Sequence, residues 1–392
     1  MLNGLLGMGR WPIGLDIGTS VVRMLQLQRT GGQISVVSAG KRELPPGNET
    51  GPGRRKAIAE AVSKILRNGR FRGRQVVSAL SCNEMHVKNV RMPVMSDREL
   101  ADAVRWEAGE RLPFKPSGDQ LRWVRAGQIR KGTDVREEVI MLAAAPDAVE
   151  NHLALLEEAG LVAAHIDAEP LALFRVFTHF LRREDDEKVV SVVADIGHSG
   201  TRVTVARGRQ IVFVKAIDIS GKQLTQAVAK HLNLTPAEAA ELRLRVMHDA
   251  DAEAALGRRE EDDADASHRP EVKDWTLRDA IRAPAEALAR EISLCLRYCS
   301  VTFRGLRPKK LVLTGGESYD PALVALLSEN LGVECVVGEP LRGVDVRNID
   351  PNAGNRRGSL SDWAVCAGLA TRDVTFENAG SEVRHGERRL SA

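Results

Sequence analysis

Cysteine is scarce in this chain of 392 residues, with only Cys82, Cys295, Cys299, Cys335 and Cys366. An odd, scattered set of five fits no complete disulfide framework. Cys295 and Cys299 lie one helical turn apart, but no second cysteine or histidine pair at ligand spacing completes a zinc site. Free buried thiols in a reducing compartment are expected instead. Long hydrophobic runs are missing too. No segment approaches the roughly 18 apolar residues of a membrane helix. The opening MLNGLLGMGRW lacks the charged flank and long apolar core of a signal peptide and reads as a lead-in to the first strand. An excess of one charge is also absent. Lys and Arg number 56 against 53 Asp and Glu, a net +3, so nothing pulls the chain strongly toward nucleic acid or anionic lipid. Nor is there a P-loop, because G-x-x-x-x-G-K-[ST] does not occur.

What is present is the composition of an ordinary water-soluble protein, 43% hydrophobic and 28% charged. The length calls for two or more lobes. One short device occurs twice. PIGLDIGTSVVRML (12–25) and VVADIGHSGTRVTV (192–205) are each an apolar run ending in Asp-Ile-Gly, then a hydroxyl-bearing turn, then a second apolar run. Both read as strand–turn–strand.

Between the copies, QISVVSAG is a strand, and 54–69 is a helix stopped by Gly69. From 75 to 167 the order β-β-α-β-β-α-β describes an inserted α+β unit. Its first helix (96–112) opens on a capping box of Ser96 and Glu99, and its second (146–160) runs from Pro146 to Gly160. The segment 170–183 is an amphipathic helix, and REDDE is a solvated linker. After the second copy, Thr235, Pro236 and Glu238 start another helix. Residues 249–270 are charged and Ala-rich, a flexible insertion. A long helix follows, with Pro284 marking a kink or break. The strand KKLVLTGGES leads into a capped helix. The helix at 361–371 carries small residues, Ala364, Ala367, Gly368 and Thr371, suited to close packing against 170–183. The tail from 377 is polar.

The repeated turn presents backbone N–H groups to an anionic oxygen, and Gly18 or Gly197 allows close approach. Thr19 and Ser20 add hydroxyls in the first copy. His198, Ser199, Gly200 and Thr201 form the second. An Asp at a strand end repels phosphate unless a cation intervenes, and Mg2+ keeps its waters while resting on one or two carboxylates. Asp16 and Asp195 are therefore expected to hold hydrated Mg2+, with Arg23 reaching back toward phosphate. Gly315 and Gly316 let a base and ribose pack on backbone, and Glu317 and Ser318 reach toward ribose hydroxyls.

These elements in this order resemble the actin and hexokinase ATPase superfamily: DIGTS and DIGHSGT its phosphate motifs, LTGGES its adenosine motif, DAEPLALF and DWAVCAGLA its connecting helices. The resemblance covers nearly the whole chain. The insert narrows it. NVRMPVMSDRELADAVRWEAGERLPF (89–114), VIMLAAAPDAVENHLALLEEAGLVAAHIDAEPLAL and EPLRGVDV are similar to PilM, the actin-like cytoplasmic family of type IV pilus assembly. The resemblance implies an α/β, actin-like (ribonuclease H-like) two-lobe ATPase fold with an α+β subdomain of the FtsA and PilM type. It implies a first lobe at 12–74 with 165–188 and 346–372, and an insert at 75–164. The second lobe follows at 189–221 with 306–345, then an outer subdomain at 222–305 and a tail at 373–392.

It further implies ATP and Mg2+ as cofactors and docking of the N-terminal peptide of a PilN-like single-pass membrane protein. The location implied is cytoplasmic, at the inner membrane through partners, with self-association as a further mode. The family's peptide sits between the first lobe and the insert, which points to Met92, Pro93, Trp106 and Phe114. Trp106 lies off the Leu100–Val104–Ala108 line, beside Ala103 and Glu110. Actin-like ATPases often place a water-orienting residue where Glu169 stands, so Glu169 is either catalytic or structural. Val21 and His198 depart from the family, which more often has Ser and a small residue there. Two alternatives are an FtsA-like filament former and a small-molecule kinase. The end RHGERRLSA lacks the apolar face of FtsA's membrane helix, and no catalytic Asp for a kinase stands out.

Overall fold

The computed structural model describes residues 11–30, 33–45, 51–81, 84–118, 120–131, 134–178, 189–257, 272–302, 308–349 and 358–372. The lead-in before residue 11, Cys82, the REDDE linker, most of the 249–270 insertion and the tail from 373 lie outside them. In chain order the strands are β1 (Ile13–Ile17), β2 (Val21–Thr30), β3 (Gln33–Glu43), β4 (Gln75–Leu80), β5 (Met85–Pro93), β6 (Leu121–Lys131) and β7 (Asp134–Ala144), then β8 (Val162–Ala168), β9 (Val190–Ile196), β10 (Thr201–Arg207), β11 (Gln210–Ile217), β12 (Lys310–Thr314) and β13 (Glu334–Val337). The helices are α1 (Pro52–Asn68), α2 (Asp97–Arg111), α3 (Pro146–Glu158), α4 (Glu169–Thr178) and α5 (Gly221–Leu232), then α6 (Pro236–Gly257), α7 (Val272–Thr302), α8 (Pro321–Leu331) and α9 (Ala364–Ala370).

Two five-stranded sheets have the same topology. The first runs β3-β2-β1-β4-β8 and the second β11-β10-β9-β12-β13. Each is an antiparallel meander extended by two parallel strands. β1 (IGLDI) and β9 (VSVVADI) are buried along most of their length, as central strands covered on both faces must be. The repeated sequence device is thus the central hairpin of a repeated sheet.

The insert is smaller than its pattern suggests. β4 pairs parallel with both β1 and β8, so both strands belong to the first sheet. Leu155 and Leu156 of α3 join that lobe's core with Ile13, Leu15 and Val62. What remains is the sheet β5-β7-β6 with α2. Leu100, Val104 and Ala108 of α2 cover one sheet face, packing on Val90, Met92, Val139 and Met141. The opposite face, Ile140, Leu142 and Ala126, packs on Ile211 and Val214 of β11. The capping box that starts α2 is formed by both Ser96 and Glu99.

The described residues of 222–305, expected as the outer subdomain of the second lobe, contribute to the core of the second sheet. Leu224, Ile281, Leu288 and Ile292 lie in it beside Val192 and Leu313. α7 continues through Pro284 as one helix, and α6 extends into the expected insertion as far as Gly257. α4 and α9 cross as their small residues suggest. A Cβ at Gly368 would lie 2.1 Å from the Ala172 carbonyl oxygen, so only glycine fits this crossing. Gly368→Ala is expected to destabilise the fold by about 1–3 kcal/mol, read as a lower urea midpoint with an unchanged slope.

Candidate functional site

The two central hairpins turn in the same way. Gly18 N–H donates to the Val21 carbonyl at 2.9 Å, and Gly197 N–H to the Gly200 carbonyl at 3.0 Å. In β1–β2, Asp16 stands opposite Arg23; in β9–β10, Asp195 stands opposite Arg202. Each pair is also an ion pair, at 3.5 Å and 3.0 Å respectively. Directly opposed side chains on a sheet are the ones that interact, so Asp-x6-Arg across a tight turn builds a charge pair at each strand end. The two turns meet across the cleft, where the hydroxyls of Thr19 and Ser199 are 2.5 Å apart.

Different groups hold the two turns. Arg54 at the start of α1 donates to the carbonyls of Gly18 and Thr19 at 2.9 and 3.0 Å. In the second turn, Gly221 N–H and Lys222 N–H, at the start of α5, donate to the carbonyls of Gly197 and His198, each at 2.9 Å. His198 and Ser199 are exposed and Gly200 is buried. The Ser20 carbonyl accepts from Leu44 N–H, and the Thr201 hydroxyl donates to the Ile219 carbonyl.

Behind the turns lies a buried charge cluster. Asp195 also accepts from the Thr314 hydroxyl at 3.2 Å. Arg23 does not stand clear to meet a ligand. It bridges Asp16 and Asp362, reaching the latter at 3.1 Å. Asp362 also takes Lys41 and the Tyr319 hydroxyl. Glu169, the first residue of α4, pairs with Arg202. Burial raises the Glu169 carboxyl to about 7; Arg202 opposes this, while Asp16 and Asp195 add to it. Burial also raises Asp16, against the pull of Arg23. For Asp362, Arg23, Lys41 and Tyr319 together overcome burial and hold the carboxyl low. Four carboxyl groups, Asp16, Asp195, Glu169 and Asp362, meet three cations, Arg23, Arg202 and Lys41, so the charges balance with Glu169 protonated and stand at net −1 with it ionised.

The adenosine-motif side is tightly built. Gly315 has φ +86°, and a Cβ there would lie 2.4 Å from the Ile196 carbonyl and 2.8 Å from Asp195 Oδ1. Gly316 has open space around it. The buried Arg243 of α6 pairs with Glu317 at 2.7 Å and Asp320 at 2.9 Å. The Ser318 hydroxyl donates to the Gly315 carbonyl and is buried. Ser318 therefore faces its own backbone rather than the cleft.

The expected partner residues divide between core and surface. Met92 is 5% exposed beneath α2, because alternation along β5 turns it to the covered face. Phe114 packs edge-on against His86. Pro93 is exposed, and Trp106 is 68% exposed. The junction of first lobe, insert and second lobe instead holds a cavity of about 290 Å3, with Leu80, Glu169, Pro170, Val87, Arg202 and Phe213 among its walls.

The sequence reading missed Arg54, Arg202, Arg243 and Asp362. Arg202 had a visible signal, the spacing it shares with Arg23. The others are single charged residues whose partners lie far along the chain. Among the described residues, no group of three or more His, Cys, Asp or Glu is arranged to hold a metal by itself. The donor set of two strand-end aspartates fits a cation that keeps most of its waters.

The family profile of type IV pilus assembly protein PilM matches residues 14–252. A solved PilM-PilN type IV pilus biogenesis complex is similar to this chain at 26% identity, covering 92% of this chain and 98% of that one, with a TM-score of 0.70. The ethanolamine utilization protein EutJ from Carboxydothermus hydrogenoformans matches at 14% identity over 92% and 89%, with a TM-score of 0.51. A diol dehydratase-reactivating factor in nucleotide-free form matches at 9% identity over 92% and 99%, with a TM-score of 0.50. The last two show the fold alone, and that fold is the actin-like one expected. With more than half its length matched by the profile, the chain belongs to the PilM family of type IV pilus assembly proteins.

Proposed function

We propose that this chain binds Mg-ATP between its two phosphate turns and docks the N-terminal segment of a PilN-like membrane protein at the junction of first lobe and insert. The observation that carries the nucleotide reading is the meeting of the two turns at Thr19 and Ser199. Two glycine turns carrying hydroxyls, one from each lobe, form a clamp for a polyphosphate. The hydroxyl contact must part to admit it. Magnesium, when bound, supplies positive charge that offsets the phosphates beside the two aspartates. Asp16 and Asp195 would hold it through water, beside the hydroxyls of Thr19, Ser20 and Ser199. Gly315 and Gly316 offer backbone to the nucleoside, with Glu317 fixed by Arg243. Arg23 orients Asp16 rather than touching phosphate.

The docking reading is supported by membership of the family and by the similar complex, whose own partner is PilN. No helix among the described residues is long and apolar enough to cross a membrane, so attachment to the pilus machine would run through the partner. Pro93 and Trp106 remain exposed for a further protein contact.

Glu169 faces the cluster at the start of α4. Protonated, it donates; ionised, it accepts from a water between the turns. Either state makes it a water-positioning residue for slow hydrolysis.

Two outcomes are expected. Titration calorimetry should detect Mg-ATP binding to the wild type, and Asp195→Asn should weaken it at least ~10-fold. A wild type that binds neither Mg-ATP nor Mg-ADP sinks the nucleotide reading. The second concerns Glu169. Its carboxyl keeps its proton to about pH 7 when folded, whereas the unfolded chain releases it near 4.5. Stability therefore falls as pH rises through that window, by roughly 3 kcal/mol in total. Thermal melts should show Glu169→Gln gaining on the wild type between about pH 5 and pH 8.

A further inference from the structure

The cavity below the insert is built from three parts of the molecule. Leu80 and Pro170 come from the first lobe, Val87 and Asn89 from the insert, and Phe213 and Val214 from the second lobe. Both β5 and β11 are edge strands of their sheets, and consecutive residues of each line the space. Unpaired strand edges accept extended chains by adding a strand. Asn89 bridges the two edges by donating Nδ2–H to the Val214 carbonyl at 2.9 Å. Its Oδ1 is buried and has no hydrogen-bond partner. A buried acceptor left unpaired is costly, and a shift of Asn89 that opens it to the cavity would let an incoming N–H satisfy it.

Met85, Lys88, Lys215 and Ala216 continue the two strand walls, and Glu169 and Arg202 close the cavity on the side of the cleft. These last two are also members of the cluster behind the phosphate turns. One guanidinium spans both places: Arg202 meets Glu169 at the cavity and holds Asp195 at 3.0 Å in the cleft. Asp195 cannot offer its carboxylate fully to a hydrated cation while Arg202 occupies it. Any occupant that presses Arg202 into its present position works against the metal.

We infer that the cavity and the phosphate cleft are linked sites, in which an extended apolar segment seated between β5 and β11 weakens Mg-nucleotide binding by clamping Arg202 between Glu169 and Asp195. The inference rests on the nucleotide and docking readings above and assigns the coupling to this pair. The segment belongs to the PilN-like partner, and one of its N–H groups reaches Asn89 Oδ1. Linkage is reciprocal, so nucleotide weakens the segment by the same factor. Glu169 and Arg202 are then positioning residues for the two ligands.

The test fills the cavity covalently. Val87→Cys in a Cys82→Ser background is modified with benzyl methanethiosulfonate. The four described native thiols are buried with raised pKa values, to about 11 for Cys295 and about 12 for Cys299, and react slowly. Modification should raise the Kd for Mg-ATP at least ~5-fold, with recovery after reduction by dithiothreitol. Adding Glu169→Gln should shrink the effect below ~2-fold, because the clamp loses one jaw. The same modification of V162C, on the exposed face of β8, should leave the Kd unchanged. A peptide of the cognate partner's N-terminal segment should no longer bind modified V87C. Unaltered Mg-ATP affinity after modification overturns the linkage alone. Retained peptide binding moves the seat elsewhere and overturns the assignment of the cavity. Failure of the unmodified protein and wild type to bind Mg-ATP overturns the nucleotide reading, and the linkage with it. If V87C does not fold, Met85→Cys carries the same test from a neighbouring position on the same strand.

Discussion

Two buried arginine–aspartate pairs, Arg23–Asp16 and Arg202–Asp195, stand at the centre of the molecule. Each closes a hairpin by joining residues directly opposed across it. Burying a charge is costly unless it is paired and hydrogen-bonded. These pairs are therefore drawn into further contacts: Arg23 with Asp362 from the far end of the chain, Arg202 with Glu169 from α4, Asp195 with Thr314. The two lobes thus share one electrostatic cluster. Its carboxylates outnumber its cations, and the shortfall falls on Glu169, which burial and neighbouring carboxylates push toward neutrality.

The duplication of sheet topology makes the remaining asymmetry informative. At the first turn a side chain, Arg54, holds the Gly18 and Thr19 carbonyls, with Leu44 N–H on Ser20; the second turn is held by backbone N–H groups at the start of α5. The second turn is therefore tied rigidly to a helix, and through Gly221 to Arg243 and Glu317. Movement of the nucleoside wall would carry the second turn with it, whereas the first turn is held by the Arg54 side chain and by Leu44 N–H on the Ser20 carbonyl.

The insert is not a free appendage. One sheet face is sealed by α2 and the other lies on β11, with Tyr298 of α7 donating to Glu138 of β7 at the same interface. It spans both lobes, so any change in lobe angle must shear this interface. That geometry is why a cavity there can report on the cleft.

Much of this was legible locally. The hairpins, the capping boxes at Ser96/Glu99 and Thr235/Glu238, and the small-residue helix are governed by neighbours within a few residues. Repetition of Asp-Ile-Gly with a hydroxyl turn pointed to two lobes, and the insert's segments to the family. What the local pattern lacked was the identity of distant partners. An apolar strand such as β4 or β8 reads the same in either sheet, and only parallel pairing with β1 settled it. Met92 reads as a surface contact until α2 is laid over it. Ser318 reads as a ribose ligand until its hydroxyl finds a carbonyl. The contact of Thr19 with Ser199, 180 residues apart, and the sharing of Arg202 between Glu169 and Asp195 exist only because packing brings both lobes onto one cluster. Hydrogen bonds and caps act over a turn of chain, so sequence alone determined the elements and their repeat. Burial and charge pairing act through space, so tertiary structure decided which elements share a site.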